Sequence, residues 1–158
     1  MRKIDQLLTE YGESHQNQTN KLIHWICVPL IFLSIVGLLW SVPSDNLRFV
    51  LGTGPFNNWA TIALFVTVLY YMRISFPLSI GMAAFSVFCL WSVRLIEMNV
   101  ALPLWQVSLI IFALAWIGQF YGHKVEGKKP SFFKDLQFLL VGPAWLMHFI
   151  YKKLGLRY

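Results

Sequence analysis

Residues 22–40 run for nineteen positions without an Asp, Glu, Lys or Arg, and no other feature constrains the fold as much. At ~1.5 Å of rise per residue such a run makes a helix about 28 Å long, close to the thickness of the hydrocarbon layer. Lipid offers no partners to backbone N–H and C=O groups, so a chain that enters it must close its own hydrogen bonds, as a helix does. Composition agrees, since 57% of the 158 residues are hydrophobic and 16% aromatic. A signal peptide is a poor alternative, because the run is too long and no small-residue cleavage site follows it.

Three further apolar runs, 59–72, 74–93 and 104–121, are separated by Arg73 and by the 94–103 stretch. The expected fold is therefore all-α: one integral membrane domain over residues 1–158 with about four spanning helices. A last segment, 132–151, carries Lys134, Asp135 and Gln137 at its start and the helix-interrupting pair Gly142-Pro143 in its middle. It is expected to lie at the interface or to re-enter rather than cross. Ser44-Asp45-Asn46 and Gly52-Thr53-Gly54-Pro55 read as turns in the first loop.

With four crossings, Arg2, Lys3, Lys21, Arg73, Lys124, Lys128, Lys129, Lys134, Lys152, Lys153 and Arg157 fall on one side of the membrane, and only Arg48 and Arg94 on the other. The positive-inside rule places the first set, and both termini, in the cytoplasm. The net charge of +6 is then a membrane-surface feature suited to anionic headgroups and carboxylates. No nucleic-acid module is recognisable, so nucleic acid is not an expected partner. Cys27 and Cys89 both fall inside expected helices and suggest no disulfide framework. Arg94 and Glu97, at i, i+3, are spaced to pair at the far interface.

Chemistry concentrates at the edges of the apolar runs. The first constellation is H-x4-N-K-x2-H-x4-P, made by His15, Asn20, Lys21, His24 and Pro29. If the helix starts near Thr19 as its N-cap, Asn20 and His24 share a face, and His15 precedes it. The second is G-H-x2-E-x3-P, made by Gly122, His123, Glu126 and Pro130. Its imidazole and carboxylate at i, i+3 form a sensible pair for iron(II), while the plainer reading ends the helix at Gly122. The four-helix topology brings His15, His24 and His123 to one membrane face although about a hundred residues separate them. A convergence of this kind suits a metal, with Glu126 as a further ligand and open positions for substrate and dioxygen. His148, five residues beyond Pro143, is a candidate fourth ligand if the C-terminal segment folds back over the site, and an interfacial side chain otherwise. Ser14 beside His15 does not make a hydrolase, since no G-x-S-x-G elbow exists, and no Gly-rich phosphate loop is present.

Together the two motifs, with Tyr11 four residues ahead of His15 and Gly142-Pro143 twelve residues after Pro130, resemble those of a family of small membrane-embedded iron(II) dioxygenases. That family shortens 2-hydroxy fatty acids by one carbon in the conversion of phytosphingosine to odd-numbered fatty acids. The resemblance covers nearly the whole chain and implies iron(II) held by His15, His24 and His123. It further implies a long-chain 2-hydroxy fatty acid and dioxygen as substrates, with loss of carbon dioxide. A 2-hydroxy acid offers a metal both carboxylate and hydroxyl and carries its own reducing electrons, so no 2-oxoglutarate is required. Asn20 and Glu126 are then candidates to orient the imidazoles or to bind the metal, and Lys21 to pair with the substrate carboxylate. Family members often carry a glutamate near the position of His148, so the fourth ligand stays open. The alternatives are a non-enzymatic lipid-binding or scaffold protein and a di-iron lipid hydroxylase, for whose eight-histidine pattern four histidines are too few.

Single cysteines placed at positions 3, 45, 99 and 155 test the expected topology with a membrane-impermeant thiol reagent. Positions 3 and 155 should label from the cytoplasmic side, and 45 and 99 from the other. Labelling of 3 and 155 from opposite sides would mean an odd number of crossings.

Overall fold

A computed structural model describes residues 3–127 and 138–156. Lys128, Lys129, Pro130, Lys134, Asp135, Gln137, Arg2 and Arg157, all used in the sequence reading, lie outside the described residues. The described residues form helices and turns, with no strand.

The N-terminal segment ahead of the first apolar run is an amphipathic helix, α1 (Lys3–Glu13), that buries Ile4, Leu8 and Tyr11 at i, i+4, i+7. The first apolar run becomes α2 (Gln18–Trp40), which starts earlier than expected. Its cap is Asn17 rather than Thr19, because the Asn17 side chain accepts from the Thr19 and Asn20 N–H groups at 2.8 and 3.3 Å. Part of the first loop, expected as turns, winds into a short helix, α3 (Asp45–Leu51), which ends at Gly52 with φ 89°.

The second and third runs give α4 (Trp59–Ile74) and α5 (Phe76–Asn99), joined by the single residue Ser75. Arg73 therefore sits in the last turn of α4, where a cation meets the negative end of the helix dipole, and not in a loop. The fourth run extends to α6 (Leu104–Glu126) and passes straight through Gly122. The left-handed residue that ends it is Gly127, φ 74°. The last helix, α7, is Val141–Lys153, so Gly142-Pro143 occupies its first turn, where a proline lacks no hydrogen bond the helix needs. The pair thus lies at the start of the described helix, and residues 132–137 of the expected segment lie outside the described residues.

Three helices, α2, α5 and α6, are long and apolar enough to cross a membrane. The expected fourth span, α4, has 16 residues, about 24 Å of helix. Large apolar side chains such as Ile26, Phe65, Val87, Leu114 and Ile117 are more than half exposed on the outside of the bundle. A surface of this kind is at home in lipid and marks a membrane protein.

Helix α2 is the hub, touching α4, α5, α6 and α7. Its most extensive partner is α6, and the two run antiparallel with almost nothing between their backbones. A Cβ on Gly122 would lie 2.4 Å from Asn20 Oδ1, one on Gly118 2.7 Å from Cys27 Sγ, and one on Gly37 2.2 Å from Ser108 Oγ. On the other side of α2, Phe32, Val36 and Trp40 meet Ala60, Leu64, Cys89 and Val93 of α4 and α5. Helix α7 is clamped to α5 by Tyr151, whose hydroxyl donates to the Pro77 carbonyl at 2.7 Å and accepts from the Gly81 N–H at 3.0 Å. The Tyr71 hydroxyl donates to the Leu140 carbonyl at the start of the same helix. The expected far-side ion pair is present, with Arg94 and Glu97 2.6 Å apart, and the Trp40 indole N–H donates to Glu97 at 3.0 Å. Cys27 and Cys89 are free and buried.

Gly118→Ala should lower stability by about 1–3 kcal/mol through overpacking against the Cys27 sulfur, despite alanine's better helix propensity. Thermal denaturation in detergent checks this, and Cys27→Ala in the same chain should restore much of the loss by removing the atom that the new methyl meets.

Candidate metal centre

The tight α2–α6 crossing sets two histidines facing each other. His24 lies in the second turn of α2 and His123 in the last turn of α6, with ring centroids 5.0 Å apart. His15 comes from the connection between α1 and α2, whose turn begins with Ser14 and His15 N–H groups donating to the Tyr11 and Gly12 carbonyls. Its ring centroid is 4.2 Å from that of His24 and 5.5 Å from that of His123. One ligand nitrogen from each of the three lies within 4.8 Å of the others, and the residues are only 2%, 1% and 4% exposed.

Hydrogen bonds decide which nitrogens face the centre. His15 Nδ1 lies 2.6 Å from the Tyr11 carbonyl and His24 Nδ1 lies 2.9 Å from the Asn20 carbonyl. A carbonyl only accepts, so both Nδ1 atoms carry the proton and donate, and Nε2 is left as the ligand nitrogen of each ring. The Tyr11 ring stacks on His15 at 4.3 Å and 16°, while Trp145 of α7 stands 5.4 Å away on the same imidazole. Three buried imidazoles, two of them with fixed tautomers, fit a transition-metal cation and are the wrong donors for magnesium or calcium.

Asn20 and Glu126 stand beside this group in a different role. Glu126 accepts from the Gln16 N–H at 2.8 Å, the Asn17 N–H at 2.9 Å and the Asn20 amide at 2.9 Å. Asn20, fully buried, also donates to the Ser14 carbonyl at 3.3 Å. The carboxylate is thus a clasp that pins the residue 14–17 turn, and His15 with it, to the end of α6. Among the described residues the close-set donors are His15, His24 and His123, and Glu126 is not one of them. The i, i+3 spacing did place His123 and Glu126 near each other, but the helix turns one inward and the other toward the turn.

The structure does not bring His148 to this group. It lines a separate cavity with Asp5, Leu8, Thr9 and Trp145, because α7 runs along α1 and presents this face to it. Burial and the neighbouring Lys152 hold its pKa below the usual histidine range, with Asp5 pulling the other way. Lys21 is half-buried on the first turn of α2, three residues before His24. Two neighbours escaped the sequence reading. Trp145 gave no signal, since a tryptophan near an interface is ordinary. Gln119 did give one: it is a neutral amide inside the fourth apolar run, four residues and one turn before His123.

Two spaces lie along α2. One lies a turn or two deeper along α2 and α6, lined by Tyr11, Val28, Ile31, Trp116 and Gln119. The other is an apolar groove of about 100 Å³ formed by Trp25, Pro29, Phe85, Leu146, Met147 and Ile150. Gly142 lines the first and Pro143 the second, so the start of α7 is the wall between them.

These features define a class: a helical membrane protein with a buried three-histidine centre able to hold a metal, set where two apolar helices end. The chain belongs to the family described as 2-hydroxy-palmitic acid dioxygenase Mpo1-like, whose profile matches residues 1–154. Among its relatives is the 2-hydroxy-palmitic acid dioxygenase MPO1 of Saccharomyces cerevisiae, 33% identical over 150 residues that cover 92% of this chain and 78% of the yeast protein. No solved structure matches it.

Alanine at His15, His24 or His123 should each abolish stoichiometric metal binding by the purified protein, while His148→Ala loses part of it at most. Metal analysis of the folded variants checks this, and full retention by two of the three would overturn the assignment.

Proposed function

We propose that this protein is an iron(II)-dependent dioxygenase that converts long-chain 2-hydroxy fatty acids to the acid one carbon shorter. The observation that carries the proposal is the group of three buried imidazoles, in a chain whose yeast relative is named for this class of substrate. The overall change balances as a 2-hydroxy acid plus dioxygen giving the shortened acid, carbon dioxide and water. The C1–C2 bond breaks, the substrate supplies all four electrons, and no co-substrate acid is consumed. Iron(II) held by His15, His24 and His123 would supply the redox chemistry that couples dioxygen to this cleavage.

The protein's own part is binding, orientation and exclusion of water. The Tyr11 and Asn20 carbonyls hold two imidazoles in one tautomer, and the Glu126 clasp keeps the His15 turn closed over the site. The stacked Tyr11 ring and the tilted Trp145 ring cover His15 with apolar surface. An acyl chain already lies in the bilayer with its carboxylate at the interface, so position alone supplies much of the orientation. Lys21 is placed at the polar end of α2 to meet that carboxylate, and the groove along Trp25 and Pro29 continues down the same side of the helix for the chain. We read α2, α4, α5 and α6 as four crossings, which puts both termini and the metal centre on the cytoplasmic side; the eleven-to-two distribution of Lys and Arg supports this orientation.

Purified protein supplied with iron(II) and oxygen should turn a long-chain 2-hydroxy acid into the acid one carbon shorter without 2-oxoglutarate. It should act far more slowly on the unsubstituted acid. Mass spectrometry of products from the paired substrates decides: equal turnover of both points to a hydroxylase, and none of either with iron bound points to a lipid-binding scaffold.

A further inference from the structure

The cavity beneath the histidines contains a group that the proposed reaction has not yet used. Gln119 is 5% exposed, in a helix apolar enough to cross a membrane, and its side chain lines this cavity. In an apolar helix no bulk solvent serves such an amide, so a polar group held in the cavity it lines is its natural partner. Leucine would fill the same volume without needing one. The cavity has about 20 Å³ of room for the centre of a water-sized group, enough for one small polar group and no more.

Position says which group that is. Gln119 and Trp116 precede His123 by four and seven residues on α6, and Val28 and Ile31 follow His24 by four and seven on α2. These are the same faces that carry the two imidazoles, so the cavity is the continuation of the metal centre into the apolar layer. Tyr11 belongs to both, stacking on His15 and lining the cavity. With the acyl chain in the groove of Trp25 and Pro29 and the carboxylate toward the interface, the hydroxyl on C2 is the one further polar group of the substrate small enough to enter this cavity. A primary amide both donates and accepts, as a hydroxyl does, whereas a carboxylate only accepts.

Resting on the proposed reaction, we infer that Gln119 is the substrate-contacting residue that recognises the 2-hydroxyl group and so distinguishes 2-hydroxy from unsubstituted acids. A site that must hydrogen-bond a hydroxyl rejects the analogue lacking it, because the site's own polar group is then left unpaired.

The test compares wild-type protein with Gln119→Leu, and with Gln119→Met should the branched side chain fail to pack, each loaded with iron(II). Dissociation constants for a 2-hydroxy acid and for the unsubstituted acid of equal length are measured without oxygen. The substitution should weaken binding of the 2-hydroxy acid about tenfold and leave the unsubstituted acid unchanged. Metal stoichiometry should be unaffected, and the melting temperature equal or higher, which a merely structural glutamine would not allow. Unchanged binding of the 2-hydroxy acid would overturn the inference, leaving the amide to an ordered water. Equal weakening of both acids would overturn it too, moving the contact to the carboxylate. Absence of turnover in the wild type rejects the proposed reaction, whereas the binding comparison still decides the role of Gln119.

Discussion

The close crossing of α2 and α6 is the contact on which the site depends. Between two apolar helices in lipid the hydrophobic effect contributes little, and what joins them is van der Waals contact between backbones that come near each other. Gly118 and Gly122, one turn apart on α6, and Gly37 on α2 remove the side chains that would hold the helices apart. Asn20, Cys27 and Ser108 fill the space instead. Because the helices are antiparallel, the start of α2 meets the end of α6, and His24 and His123 come to the same depth. A side chain at Gly122 would press on Asn20, the residue that ties this crossing to the third histidine.

That third histidine depends on a second, polar interaction. The residue 14–17 turn has backbone N–H groups to satisfy, and Glu126 takes two of them while holding the Asn20 amide. Asn20 in turn reaches the Ser14 carbonyl and offers its own carbonyl to His24. One carboxylate and one amide therefore link the segments that carry all three histidines. Around this network α1 and α7 place Tyr11 and Trp145 against His15, so an amphipathic helix and a short C-terminal one complete the wall.

The result is a polar centre set into the end of an apolar bundle. Lys21 and Lys124 stand next in sequence to this centre, and a turn or two further along α2 and α6 lies the cavity of Gln119, with the apolar groove past the start of α7. An acidic lipid passing between bilayer and site would cross these surfaces in the order in which its own atoms are arranged.

Local sequence determined the helices and the donors. Long uncharged runs can only be helices in lipid, so α2, α5 and α6 were legible within about six residues at each end, and the convergence of the run ends on one face, together with the family resemblance, picked out His15, His24 and His123. Boundaries were missed where caps decide them: Asn17 outbid Thr19 because its amide oxygen reaches two N–H groups, and Gly122 was read as a helix end because a glycine in a sequence does not tell whether it terminates a helix or packs against one. The α1 helix was missed because its apolar stripe of Ile4, Leu8 and Tyr11 has meaning only once α7 lies against it. Tertiary structure alone decided that Glu126 clasps a turn, that His148 faces α1 and Asp5, and that Gln119 meets a cavity. Each of those roles is set by distances between segments far apart in the chain, which the α2–α6 contact fixes and residue order does not.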